Sequence, residues 1–173
     1  MHRLIALVAI AGCVSLAACG DDNTTAPSSA PVLFSAILSP ANEVPPLSGS
    51  ESSGHGAVQV QFNVTRDAAG AITAATATFY FQLADFPAGT TVVGAHIHPG
   101  VAGVNGPVQI STGLATANTV TLTNGSGDFA FRNVFADPAV VQQIINNPSG
   151  FYFNVHSTTN TGGFSRGQLT RVQ

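Results

Sequence analysis

Charge is what this sequence has least of. Only 8% of its 173 residues are charged, lysine is absent, and five scattered arginines against eight acids leave a formal net charge of -3. A nucleic-acid surface needs clustered cations to displace condensed counterions, so no nucleic-acid partner is expected. Cysteine is nearly as scarce: the two, Cys13 and Cys19, both fall in the first twenty residues. The rest of the chain has no thiol for nucleophilic chemistry, for a metal-thiolate site or for a disulfide. Long apolar runs are missing too, since Leu4 to Val14 is shorter than the ~20 residues that span a bilayer. There is no Gly-X-Ser-X-Gly elbow, no glycine-rich phosphate loop ahead of a helix and no close carboxylate pair, so familiar enzyme templates fail.

The start of the chain reads as an address. Met1-His2-Arg3 is a short positive segment, the apolar run follows, and Leu16-Ala17-Ala18-Cys19-Gly20 resembles a bacterial lipobox. On that reading residues 1–18 are a signal peptide and Cys19 carries lipid. Residues 19–31, rich in Asp, Thr, Ser and Pro, form a flexible tether with little to bury. About twelve residues at ~3.3 Å each reach up to ~40 Å from a membrane. Gly20 after the cysteine lacks an aspartate retention signal, which favours an outer membrane in an envelope that has one.

What remains, residues 32–173, is long enough for one domain, and a hydrophobic fraction of 45% supplies a core. Val58, Val60, Phe62 and Val64 alternate with Gln59, Gln61 and Asn63, the signature of a half-buried antiparallel strand. Val32 to Leu38, Ile72 to Leu83, Val108 to Ile110, Thr119 to Thr123, Asp128 to Val134, Phe151 to Ser157 and Gln168 to Val172 also read as strands. Turns separate them, Asn124-Gly125-Ser126-Gly127 most clearly. Asp137-Pro138 opens a helix near 138–146, with Val140, Val141, Ile144 and Ile145 as its apolar stripe. Eight or nine short strands with one helix predict an all-β fold, an antiparallel sandwich of Greek-key kind.

The chemistry concentrates in Thr91-Val92-Val93-Gly94-Ala95-His96-Ile97-His98-Pro99-Gly100. Alternation puts Val93, Ala95 and Ile97 on one face, and His96 and His98 on the other. In Phe151 to His156 the same logic gives Phe151, Phe153 and Val155 to the core, and Tyr152, Asn154 and His156 to the opposite side. Three imidazoles off the core can share one copper or zinc ion, with Asn154 or a loop carbonyl holding a second ring nitrogen. They also suit a hydrogen-bonded cluster under the glycine-rich loop from Pro99 to Pro107. His55, Asp85 and Asp128 read as loop or turn residues. Glu43 and Arg166 are candidates for a structural ion pair, because an Arg fork matches a carboxylate.

Glu43-Val44-Pro45-Pro46, Ala95-His96-Ile97-His98-Pro99-Gly100, Asn105-Gly106-Pro107-Val108, Tyr152-Phe153-Asn154-Val155-His156 and Arg166-Gly167-Gln168-Leu169 occur in this order. Together they resemble the chordin-type (CHRD) domain over about Leu33 to Val172. Gly163-Phe164-Ser165 departs from that pattern, which usually has an acidic residue beside an apolar one there. The resemblance implies an extracytoplasmic β-sandwich but no settled activity, and the expected role is a binding or structural module with an unidentified protein or glycan ligand. His-X-His on a strand is also similar, over three residues, to copper/zinc superoxide dismutase. That gives an oxidoreductase as a further alternative, although the His and Asp cluster of its zinc loop is lacking here.

Overall fold

The computed structural model describes residues 30–172. Cys19, the signal peptide and all but the last two residues of the tether lie outside the described residues. Among the described residues ten strands form two antiparallel sheets, with one α-helix and no closed barrel. The first sheet has the order β10 (Thr170–Arg171), β1 (Val32–Leu38), β2 (His55–Arg66), β3 (Ile72–Ala84) and β7 (Gly127–Phe135). The second runs β5 (Ile110–Ser111), β4 (Thr90–Pro99), β8 (Phe151–Ser157) and β9 (Ser165–Gln168), with β6 (Val120–Leu122) also on β4. The chain leaves the first sheet after β3, builds β4 to β6 in the second, and returns as β7 beside β3.

Alternation builds the core. Val32, Phe34, Ala36 and Leu38 of β1, Val58, Val60 and Phe62 of β2, and Phe79, Phe81 and Leu83 of β3 all turn inward. They meet Ala95, Ile97, Phe153 and Val155 of the second sheet. Phe153 joins the layers, its ring 5.8 Å from that of Phe79 and 5.2 Å from that of Phe81. Burying aromatic and branched side chains at ~1.5–3 kcal/mol each is the main driving force for closing the sandwich. The helix α1 (Pro138–Asn146) is capped by Asp137, whose Oδ1 accepts from Ala139 N at 2.8 Å. Val141 and Ile144 bury fully, and Val140 and Ile145 pack at the margin. No helix of the described residues is long and apolar enough to cross a membrane.

Local structure departs from the sequence expectation in several places. A bulge between Val92 and Gly94 breaks the alternation of β4, so Val92 is in the core and Val93 is only half-buried. An extra residue in one strand resets which face each neighbour takes. The short strand expected at Val108 to Ile110 forms as Ile110–Ser111. Arg166, ahead of the strand expected from Gln168, lies inside β9, opposite Asn154. Four strand residues with one glycine carry little periodicity, and pairing with β8 is what orders them.

The outer face of the second sheet is not open to solvent. Tyr152, Asn154, His98 and Arg166 all point there, and each is at least nine-tenths buried. Residues 39–47, 100–109 and 158–163 fold over this face, which makes it a second interior lined by polar groups.

Candidate metal centre

Strand register assembles the centre. Across β4 and β8, Gly94 lies opposite His156, His96 opposite Asn154, and His98 opposite Tyr152. No histidine faces another directly: His156 lies diagonal to His96 on one face, within reach of long side chains, and His98 is two residues further along β4 on that face. Their ring centroids are 4.9 Å apart for His96 and His156, 5.7 Å for His96 and His98, and 5.8 Å for His98 and His156. One nitrogen from each ring lies within 4.8 Å of the other two. Gly94 provides the room, because a Cβ there would sit 3.0 Å from His96 Cε1 and 3.6 Å from His156 Cδ2.

The two loops orient two of the rings. His98 Nδ1 donates to the carbonyl of Gly106 at 3.0 Å, and His156 Nδ1 donates to that of Thr161 at 2.9 Å. A carbonyl can only accept, so both rings carry their proton on Nδ1 and present a bare Nε2 lone pair. Those Nε2 atoms, with Nδ1 of His96, are buried and have no hydrogen-bond partner among the described residues. Burial, together with the neighbouring imidazoles, pushes the His96 pKa down to about 4. Burial also lowers those of His98 and His156. All three rings are therefore neutral at pH 7, the form that ligates.

His98 has a further support. Its ring stacks on Tyr152 with centroids 5.0 Å apart and planes 7° apart, and the Arg166 guanidinium lies 4.5 Å from the centre of the tyrosine ring. The Tyr152 hydroxyl accepts from Gly106 N at 3.1 Å, so the same glycine is tied to both aromatic groups. Arg166 Nε donates to Asn42 O at 2.6 Å and Nη1 to Asn105 Oδ1 at 2.8 Å. Glu43 approaches through one oxygen, 4.0 Å from Nε, rather than as the bidentate partner the sequence suggests. Asn42 O and Asn105 Oδ1 take Nε and Nη1, while Nη2 and Glu43 Oε1 are buried without a hydrogen-bond partner among the described residues. Burial outweighs the attraction of Arg166 and raises the Glu43 carboxyl to about 7.

One buried acid was not legible in the sequence. Glu51 sits in what reads as a Ser- and Gly-rich loop, yet Ser157 Oγ and Asn160 Nδ2 donate to its Oε2 at 2.8 and 2.6 Å. It pins the turn that delivers Thr161 O to His156. The other residues expected in loops or turns lie apart from the centre: His55 instead opens β2 and forms an exposed pair with Asp85 at 3.5 Å, and Asp128 is the second residue of β7.

The donor set is three neutral imidazoles with no sulfur, suited to copper(II) or zinc, and a tyrosine whose hydroxyl is already engaged. An all-β sandwich with a histidine cluster roofed by two loops is a binding scaffold more than a cleft for a bulky substrate. The CHRD domain family model matches residues 34–169, and the chain belongs to that family. No curated protein and no solved structure matches it. Membership supports a structural or binding role.

Proposed function

We propose that this chain is a CHRD-domain binding module of the bacterial cell envelope whose ligand is a divalent transition-metal ion, held by His96, His98 and His156. The reading rests on the convergence of one nitrogen from each ring within 4.8 Å. Three ligands at 2.0–2.1 Å from one ion stand ~3.3–3.6 Å apart in tetrahedral or trigonal geometry, so ring tilts of about 1 Å would close the site. A metal would also satisfy buried nitrogens that have no hydrogen-bond partner among the described residues. Nitrogen ligation without thiolate places copper(II) ahead of zinc in affinity. Delivery outside the cytoplasm and anchoring through lipid on Cys19 complete the proposal, with the outer membrane favoured where there are two.

Calorimetry on untagged protein tests the metal reading. Copper(II) and zinc should each bind saturably at one ion per chain, copper more tightly, and His96→Ala should weaken both by at least tenfold. No saturable binding, or an affinity indifferent to His96→Ala, would overturn it.

A further inference from the structure

A groove of about 420 Å³ lies on the outer face of the first sheet, whereas the histidine centre is built on the second. Its volume falls in the ~300–1,000 Å³ range of small-ligand sites. Strand register sets its lining. Ala57, Gln82 and Asp128 lie side by side across β2, β3 and β7, and Gln59, Tyr80 and Ala130 form the next row. These six alternate with the buried Val58, Phe81 and Phe129, so they face outward. The two alanines leave the depression, and the longer side chains beside them wall it. Tyr80 is half-buried and the other five are exposed. The tyrosine is braced by Arg132, whose guanidinium lies 4.7 Å from the ring centre and whose Nη1 donates to the hydroxyl. Arg132 stands two residues beyond Ala130 on β7, while the groove runs from Ala130 back to Asp128, so the cation holds the ring from outside the groove.

We infer that this groove is a binding site for a neutral saccharide. A sugar ring has faces of C–H groups and a rim of hydroxyls, each of which both donates and accepts. The groove supplies the matching parts: an aromatic ring for apolar contact, two glutamine amides that donate and accept, and one carboxylate that accepts. Ile37, 74% exposed and opposite Ala57 on β1, extends the apolar contact at one end. Because Arg132 already fixes the tyrosine, little side-chain freedom is lost when a ligand packs on it. Charge disfavours other ligands. Asp128 is the one charged residue lining the groove, so a nucleic acid, a phosphate or an acidic glycan meets a like charge and no free cation there. A single exposed carboxylate, screened by water, is too weak to select a cation. The groove shares no residue with the histidine centre, so the saccharide and metal readings stand or fall separately.

Titration of nitrogen-15-labelled protein with cellotriose and with tri-N-acetylchitotriose, followed by amide NMR, tests the site. At least one sugar should give saturable shifts centred on residues 57–59, 80–82 and 128–130. Tyr80→Ala should weaken that binding by about tenfold and Gln82→Ala by about threefold. Arg132→Ala, which frees the ring without removing it, should also weaken it by about threefold. His96→Ala should leave sugar binding unchanged, and Tyr80→Ala should leave copper(II) affinity unchanged. Should Tyr80→Ala not fold, the exposed changes Gln82→Ala and Arg132→Ala still decide. The inference is overturned if neither sugar gives saturable shifts, if the shifts centre elsewhere, or if affinity is indifferent to these variants. Tighter binding of an anionic oligogalacturonate would also overturn it, and so would sedimentation showing a dimer that Tyr80→Ala dissociates, which would make the groove a contact between two copies of the chain.

Discussion

His98 lies face to face on Tyr152, with ring centroids 5.0 Å apart and planes 7° apart. The stack joins the two halves of the polar interior, because the same tyrosine ring lies under Arg166 and its hydroxyl accepts from the loop that orients His98. Tyr152→Phe keeps the ring and removes one hydrogen-bond acceptor. It should cost about 1 kcal/mol in denaturant unfolding, with metal affinity within about twofold of wild type. Tyr152→Leu also removes the stack, so it should cost ~2–4 kcal/mol and weaken metal binding measurably.

Gly94 is the position where a small addition would press on the imidazoles themselves. A methyl group at this position meets His96 at 3.0 Å and His156 at 3.6 Å, both side-chain atoms. Gly94→Ala should therefore spread the rings, lowering copper(II) affinity by about tenfold by calorimetry, a loss of ~1.4 kcal/mol. Unfolding should shift by less than that, because the crowding falls on side chains that can turn.

The Glu43–Arg166 contact should depend on pH in an unusual range. Glu43 titrates at about 7 in the folded chain, so its charge beside Arg166 is complete only above neutrality. Arg166→Met leaves Glu43, Asn42 O and Asn105 Oδ1 without their partner and should cost about 3–5 kcal/mol. In a double-mutant cycle with Glu43→Gln, the coupling should be larger at pH 8.5 than at pH 5.5. Equal coupling at both values would show that Glu43 does not titrate near 7.

The metal-free domain should lose stability through its histidines as pH falls. The folded pKa of His96 is about 4, against about 6.5 unfolded. Between those values the unfolded chain binds a proton that the folded chain refuses, so stability declines from pH 6.5 toward 4. His98 and His156 act in the same direction. Glu43 opposes them: its raised pKa favours the folded state at low pH, and that contribution fades as pH rises from about 4.5 through 7. Urea titrations at pH 7, 5.5 and 4 should show His96→Gln flattening the decline by about 1–2 kcal/mol, allowing for the partial exposure of the ring. Metal binding should correspondingly persist well below the free-histidine range near ~6.5 that the sequence suggests, because the ligands stay neutral there.

Cys19→Ser tests the anchor. The variant should leave the membrane fraction or remain unprocessed, as judged by fractionation and intact mass. Unchanged fractionation with an unaltered mature mass would contradict lipidation.

Much of this protein is written in local pattern. The alternation in β2 and β3, the Asp137-Pro138 helix start and the turn chemistry each follow from one residue's φ/ψ preference or from period-two burial, and these need no tertiary information. The three histidines could be singled out because each interrupts an apolar strand on its non-core side. The lipobox expected at Leu16 to Gly20 is likewise a linear signal. What the sequence left open was settled by register and coverage. Only pairing of β4 with β8 brings Gly94 opposite His156 and His96 opposite Asn154, and a one-residue slip would have sent the rings to opposite faces. The bulge at Val92–Gly94, which exchanges Val92 for Val93 in the core, leaves no mark in the alternation. Nor does sequence reveal that loops bury the second face of the sheet. That coverage depresses the imidazole pKa values, raises that of Glu43 and makes Glu51 a buried support. Desolvation is a property of everything packed around a group, and no window of neighbouring residues contains it.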